Sequence, residues 1–311
     1  MGSAALTESE WIWKDGELVH WHDAQVHLLS LAVQFGSSIF EGIRAYETPK
    51  GPAVFRLKEH VRRLYDSCAI YRIEVGHTPE ALEKACLEII RKNNLRDCYL
   101  RPMVLRGYGA AGLNPEGSPI ETYIPAWPWG TYLGEGALEA GVDVCVSSWT
   151  RAHPNTFPVR AKAAGHYVSA QLMKMEALAN GYVEGIALGP GGLVSEGSGQ
   201  NVFLVRDGRI ITPLLDGTSL RGITRDAVLR IAADLGYDVR EELVPRESLY
   251  TADEMFFTGT ASEVTPVRSV DRIPIGEGRA GPVTMAVQKR FMEIVRGGAD
   301  DAYGEWLTYV E

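Results

Sequence analysis

The stretch Glu196-Gly-Ser-Gly-Gln-Asn-Val-Phe203, followed by Ile210-Ile-Thr212 and Leu220-Arg-Gly-Ile-Thr-Arg225, constrains this chain more than any other feature. It sets a carboxylate on a glycine turn, then an apolar strand over Asn201 to Val205, then a glycine-introduced helix over Ile223 to Leu235. At that helix start Gly222, Ile223 and Thr224 would offer backbone amides, where donors and helix dipole together stabilise an anion. Upstream, Lys162 stands among Ala161, Ala163, Ala164 and Gly165, side chains too small to keep a planar ligand from its amine. Singly, each feature has an ordinary reading: a surface lysine, a solvated acid at a hairpin tip, a plain helix start. Together, a lysine, a carboxylate and a phosphate cradle describe a pyridoxal phosphate site.

At 311 residues the chain exceeds one comfortable hydrophobic core, so two domains are expected. The first part reads as small and α+β, with helices over Leu57 to Ile73 and Pro79 to Asn93. Tyr99 to Leu105 and Thr122 to Ala126 are apolar enough for strands. Pro125 to Gly136, rich in Pro, Gly and Trp, reads as a linker. The expected division is a small domain of residues 1–131, a linker of 132–139 and a large domain of 140–311. The large part carries strands over Val142 to Ser147, Gly185 to Leu188, Asn201 to Val205 and Met255 to Thr258. Its helices run over Gly165 to Asn180, Ile223 to Leu235 and Pro282 to Val295.

A formal charge of -9 repels polyanions, so neither nucleic acid nor an anionic membrane is expected as a partner. No apolar run approaches the ~20 residues that cross a bilayer, the N-terminus lacks a signal-peptide pattern, and the chain reads as cytoplasmic. Cys68, Cys86, Cys98 and Cys145 form no C-x-x-C pair and read as buried, reduced thiols. His20, His22 and His27 follow a strand-and-turn pattern rather than one-turn helical spacing, so no metal site is expected. Gly107-Tyr-Gly109-Ala-Ala-Gly112 has the form of a dinucleotide fingerprint. The Leu113-Asn-Pro-Glu-Gly-Ser-Pro that follows cannot begin the helix on which a pyrophosphate would sit.

The Glu-x-Ser-x-x-Asn-Val-Phe run from Glu196, the Ile-x-Thr step and the Leu-x-Gly-Ile-Thr-Arg ending resemble the signature of class IV, or fold type IV, aminotransferases. A second set, Phe35-Gly-Ser-Ser-Ile-Phe40-Glu-Gly-Ile-Arg44-Ala-Tyr46 with Tyr99-Leu-Arg101-Pro, resembles the branched-chain amino acid aminotransferase branch. The likeness runs from about Trp11 to the C-terminal helix. It implies an α+β, two-domain fold: a small α/β sandwich domain plus a larger β-barrel-like domain with surrounding helices.

The resemblance also implies pyridoxal 5′-phosphate, held covalently by Lys162, with Glu196 on the pyridine nitrogen and Tyr167 on the ring oxygen. Leu220, Gly222, Ile223, Thr224, Thr260 and Arg63 would complete the cofactor site; helical periodicity alone does not separate Arg63 from Arg62. For the substrate it implies an aromatic box of Phe40, Trp129, Tyr132 and Tyr167, lined also by Gly42. Tyr99, Thr260 and Ala261 would hold the α-carboxylate, and Arg101 the distal carboxylate of glutamate. Leu113 would be lent by the neighbouring subunit. Many relatives carry tyrosine where this chain has Phe35; losing that hydroxyl weakens glutamate recognition by an amount on the order of 1 kcal/mol.

The implied reaction is transamination of L-leucine, L-isoleucine and L-valine with 2-oxoglutarate, Lys162 moving the Cα proton. The partners are then amino acids and 2-oxo acids, and the smallest active unit a homodimer, with a hexamer as trimer of dimers left open. Two competing readings stay in view: a D-amino acid or (R)-amine transaminase of the same fold, and a non-catalytic phosphate-binding module.

Overall fold

The structure, a computed structural model, describes residues 6–130, 132–134, 136–298 and 301–311. It divides into two compact units. The first gathers Met1–Gly130, Ala161–Gly165 and Ile294–Glu311; the second gathers Thr131–Arg160 and His166–Glu293. The expected linker of 132–139 includes Glu135, outside the described residues. The two returns to the first unit, one of which carries Lys162, are not foreseen from sequence order.

The first unit holds two five-stranded sheets. One runs Glu17–His20, Trp11–Lys14, Ile120–Ile124, Met103–Arg106, Ser38–Phe40; the other runs Leu307–Tyr309, Ala53–Phe55, Ile43–Tyr46, Cys98–Leu100, Ala126–Pro128. Three chain segments pass from one sheet to the other, at Glu41-Gly42, at Arg101-Pro102 and at Pro125. The expected continuous strands Tyr99 to Leu105 and Thr122 to Ala126 are therefore each broken, and Ala126–Pro128 is strand where a linker was expected. Proline explains both breaks, since it has no N–H for a ladder. The three crossings are stitched together, Glu41 N–H to the Pro102 carbonyl at 2.8 Å and Arg101 N–H to the Pro125 carbonyl at 2.9 Å.

The helix Leu57–Ile70 packs against this corner because Leu57, Val61, Leu64 and Cys68 recur on one face and are buried. Beside it runs Pro79–Lys92, opened by Thr78, whose side chain accepts from Ala81 N–H, with proline in the first turn. Both begin where expected and end one to three residues earlier.

The second unit is built on a nine-stranded mixed sheet. Its path is Val194–Gly197, Glu184–Leu188, Val142–Val146, Glu263–Val270, Glu254–Gly259, Asn201–Arg206, Arg209–Pro213, Val239–Glu242, with Ile273–Pro274 pairing off it. Apolar runs such as Val202-Phe-Leu-Val and Met255-Phe-Phe are buried throughout, as expected where both faces of a strand are covered. Phe203 and Phe256 stack at 5.0 Å between ring centroids. Helix Tyr167–Ala179 lies close on this sheet, where a Cβ on Gly185 would stand 3.3 Å from the Met173 carbonyl. Residues 107–119 join two antiparallel strands through turns, without a helix.

Candidate functional site

In the first unit, the corner where strands change sheets gathers the chemistry. Lys162 is stitched to it by its backbone: the Lys162 carbonyl accepts from Phe40 N–H at 3.0 Å, and Ala163 bridges to Ile39. Lys162 N–H also donates to Ser67 Oγ at 3.1 Å, while that hydroxyl donates to the Arg63 carbonyl at 2.7 Å. The lysine Nζ lies 4.9 Å from the centroid of the Phe40 ring, and Ala161 and Ala163 on either side are buried. Burial pushes the amine pKa down to about 8, and the Arg63 guanidinium pushes the same way; Glu41 opposes them.

Arg63, not Arg62, points inward: Arg62 is exposed, whereas Arg63 places Nε 2.6 Å from Glu41 Oε1 and Nη2 2.8 Å from Oε2. His60 Nδ1 lies 2.7 Å from the same Oε2, and Gly42 N–H donates to it at 3.2 Å. Glu41 has no exposed surface. Burial by itself would raise its pKa, but Arg63 and His60 overcome that and hold the carboxyl far below the usual carboxylate range. Burial in turn lowers the His60 pKa, against the pull of Glu41. Sequence reasoning misses Glu41 and His60; the signal is present as a lone carboxylate inside a wholly buried stretch, Ser38 to Tyr46.

Around the same corner Arg101 is set among aromatic faces, its guanidinium carbon 4.9 Å from the Phe40 centroid, 5.3 Å from Tyr99 and 6.0 Å from Trp127. Tyr99 stacks on Trp129 at 4.5 Å. Phe40, Tyr99, Arg101 and Trp129 thus come together at this corner, with Trp127 as a fourth aromatic. Gly42 is required here, because a Cβ would fall 1.9 Å from the Tyr99 hydroxyl. Arg101 Nε is buried without a hydrogen-bond acceptor among the described residues, a donor suited to an anion. Phe35 ends the short helix Leu31–Phe35 with half its surface exposed, and Leu113 projects from a loop at 87% exposure.

The second unit holds the other constellation. Glu196 is not on the glycine turn but at the end of strand Val194–Gly197, buried. Its Oε2 accepts from Leu220 N–H at 3.1 Å and Asn201 Nδ2 at 3.2 Å, and Arg151 Nη2 stands 3.1 Å from Oε1. The same Arg151 nitrogen donates to the carbonyls of Gly197 (2.6 Å) and Ser198 (3.1 Å). Arg151 is missed by sequence because it lies 45 residues away, with no local pattern. Asn201 also donates to the Leu220 carbonyl at 3.0 Å, which ties the approach of the next helix to the strand.

That helix runs Ile223–Asp234, with Gly222 as its N-cap and no side chain capping it. A Cβ on Gly222 would strike Asn201 Oδ1 at 2.0 Å, so only glycine fits. Ile223 and Thr224 are buried in its first turn. Thr258 Oγ1 and Ser262 Oγ are both buried and without a hydrogen-bond partner among the described residues, flanking half-buried Thr260 and Ala261. Ala261, Ser262 and Tyr132 line one small cavity of about 10 Å³, room for roughly one water. Tyr132 is exposed, and Tyr167 is the half-buried first residue of its helix.

An uncapped helix start and two orphaned buried hydroxyls are features that a phosphate completes. A carboxylate held by three donors matches a protonated ring nitrogen, and a buried amine of lowered pKa matches an aldehyde. The residues present therefore fit pyridoxal phosphate.

Comparison with known proteins gives the same direction. Residues 38–270 match the Amino-transferase class IV family. The chain is 51% identical over 304 residues to the branched-chain-amino-acid aminotransferase of Escherichia coli (strain K12), covering 97% of this chain and 98% of that relative. It is 45% identical to the enzyme of the same description from Pseudomonas aeruginosa, covering 96% and 97%. Among solved structures, the Escherichia coli branched-chain amino acid aminotransferase superposes with a TM-score of 0.96 at 50% identity, covering 98% of this chain and all of that one. The branched-chain amino acid aminotransferase from Thermobaculum terrenum, in its PLP form, gives 0.90 at 34% identity, covering 98% and 99%.

Proposed function

This chain belongs to the amino-transferase class IV family, and on that premise we propose that it transaminates L-leucine, L-isoleucine and L-valine with 2-oxoglutarate, using pyridoxal 5′-phosphate. The observation that carries the reading is likeness to branched-chain aminotransferases along nearly the whole chain, in sequence and in fold. The fold is that of the type IV pyridoxal phosphate enzymes.

When bound, the cofactor supplies an electron sink and carries the amino group between the two half-reactions. Lys162 would hold it covalently, and its amine, once free, would move the proton from the substrate Cα. A pKa of about 8 suits both tasks, since an appreciable share of the amine is neutral near neutral pH. Glu196, kept in place by Arg151, Asn201 and the Leu220 amide, keeps the ring nitrogen protonated. The amides of Gly222, Ile223 and Thr224, with Thr260 and Arg63, would hold the phosphate, Tyr167 would donate to the ring oxygen, and Leu220 would complete the cofactor site. Phe40, Trp129, Tyr132 and Tyr167 would take the branched side chain, lined also by Gly42, while Phe35 stands on the side of the distal carboxylate of glutamate. Tyr99, Thr260 and Ala261 take the α-carboxylate, and Arg101 the distal carboxylate of glutamate.

Leu113, exposed on its loop, completes a neighbour's pocket, which makes a homodimer the smallest active unit. No described helix is long and apolar enough to cross a membrane.

The test is L-glutamate formed from 2-oxoglutarate with L-leucine as donor, D-alanine and (R)-1-phenylethylamine run in parallel. Transfer from L-leucine, lost in Lys162→Ala, is expected. Transfer only from D-alanine or the amine overturns the substrate assignment, and full turnover by Lys162→Ala overturns the role of the lysine.

A further inference from the structure

We propose that Glu41 is a positioning residue that fixes the orientation of the Arg63 guanidinium, and through it the grip on the cofactor phosphate. This rests on the reading of Arg63 as a phosphate ligand. A carboxylate with no exposed surface is costly to bury, and an apolar side chain would pack at the corner with less penalty. What Glu41 adds is direction. Its two oxygens take the Nε and Nη2 edge of Arg63 as a fork, at 2.6 and 2.8 Å, so the planar guanidinium is held in one plane with its opposite edge facing one way.

Glu41 is itself immobilised. It sits at the sheet-to-sheet crossing, its backbone N–H bound to the Pro102 carbonyl and its Oε2 bound by Gly42 N–H. His60 closes the third side at 2.7 Å; facing an anion, its Nδ1 must carry the proton. Ser67 then links the Arg63 carbonyl to the Lys162 N–H, so the corner that aims the arginine also seats the lysine backbone. The low pKa directions of Glu41 and His60 agree with an anionic carboxylate and a neutral imidazole.

Charge alone makes the opposite forecast. Glu41 repels an anion at Arg63, so by electrostatics its neutralisation would tighten phosphate binding; by positioning, neutralisation loosens it. The measurement is calorimetric titration of the apoprotein with pyridoxal 5′-phosphate and with pyridoxal, reading the ratio of the two affinities. Glu41→Gln should cut the phosphate's advantage about tenfold, the worth of one charge-assisted hydrogen bond, and the cut should vanish in an Arg63→Gln background. Glu41→Asp, which retains charge but withdraws it by one methylene, should give a smaller cut in the same ratio and covers the case in which Glu41→Gln does not fold. An unchanged or increased ratio in a folded Glu41 variant, or a cut that persists without Arg63, overturns the proposal. If Arg63→Gln itself leaves the ratio unmoved, the reading of Arg63 beneath it fails as well.

Discussion

The Lys162 amine should titrate near 8 instead of at the ordinary lysine value of 10.5. At pH 7 the neutral, nucleophilic fraction is then about one in eleven, against about one in three thousand for an unperturbed lysine, a gain of roughly 300-fold. The direction is set by physical cause: burial disfavours the ammonium, Arg63 repels it, and Glu41 partly offsets both. Two substitutions should therefore move the midpoint in opposite senses. Arg63→Met removes a repelling cation and should raise it; Glu41→Gln removes the stabilising anion and should lower it. The assay is the rate at which apoprotein captures pyridoxal 5′-phosphate at Lys162, trapped by borohydride and read from the Lys162 peptide across pH. Capture should rise with pH and level off above the midpoint. A wild-type midpoint that stays near the ordinary lysine value, or the two variants shifting the same way, would mean that burial and these two charges do not set the Lys162 pKa.

Two other outcomes follow from the geometry. Arg151→Gln removes the cationic partner of buried Glu196, leaving the Asn201 amide and Leu220 N–H on its Oε2, and a donor to two carbonyls; losing one side of a buried pair costs about 3 to 5 kcal/mol, so the second unit should melt roughly 6 to 20 °C lower by circular dichroism. Melting within about 1 °C of wild type would mean the pair contributes little. Phe35→Tyr, at a half-exposed helix end that tolerates a hydroxyl, should raise kcat/KM for L-glutamate about fivefold, worth about 1 kcal/mol, and leave L-leucine unaffected; equal changes for both would contradict a role in the distal carboxylate.

Much of the local architecture is legible in the chain. Apolar spacing over Leu57 to Cys68 and the Thr78-Pro79 start locate two helices, and the glycine at 222 locates a third, because caps and periodicity act within one turn. Family motifs mark Lys162, Glu196 and the Gly222 to Thr224 start. Pro102 and Pro125 mark where two strands break, a signal that the apolar residues around them mask.

Which groups lose water, and what they then face, is fixed by long-range packing. Glu41 reads as an ordinary acid between Phe40 and Gly42, yet three strands change sheets around it and turn its carboxylate towards Arg63 and His60, on a helix about twenty residues later. Arg151 reaches Glu196 over a longer gap, and Lys162 joins the first unit although most of its sequence neighbours belong to the second. Local propensity depends on residues a few positions apart, so sequence carries it. Desolvation, a lowered amine pKa and the aim of a guanidinium depend on distant segments meeting at one corner, so only the folded chain determines them.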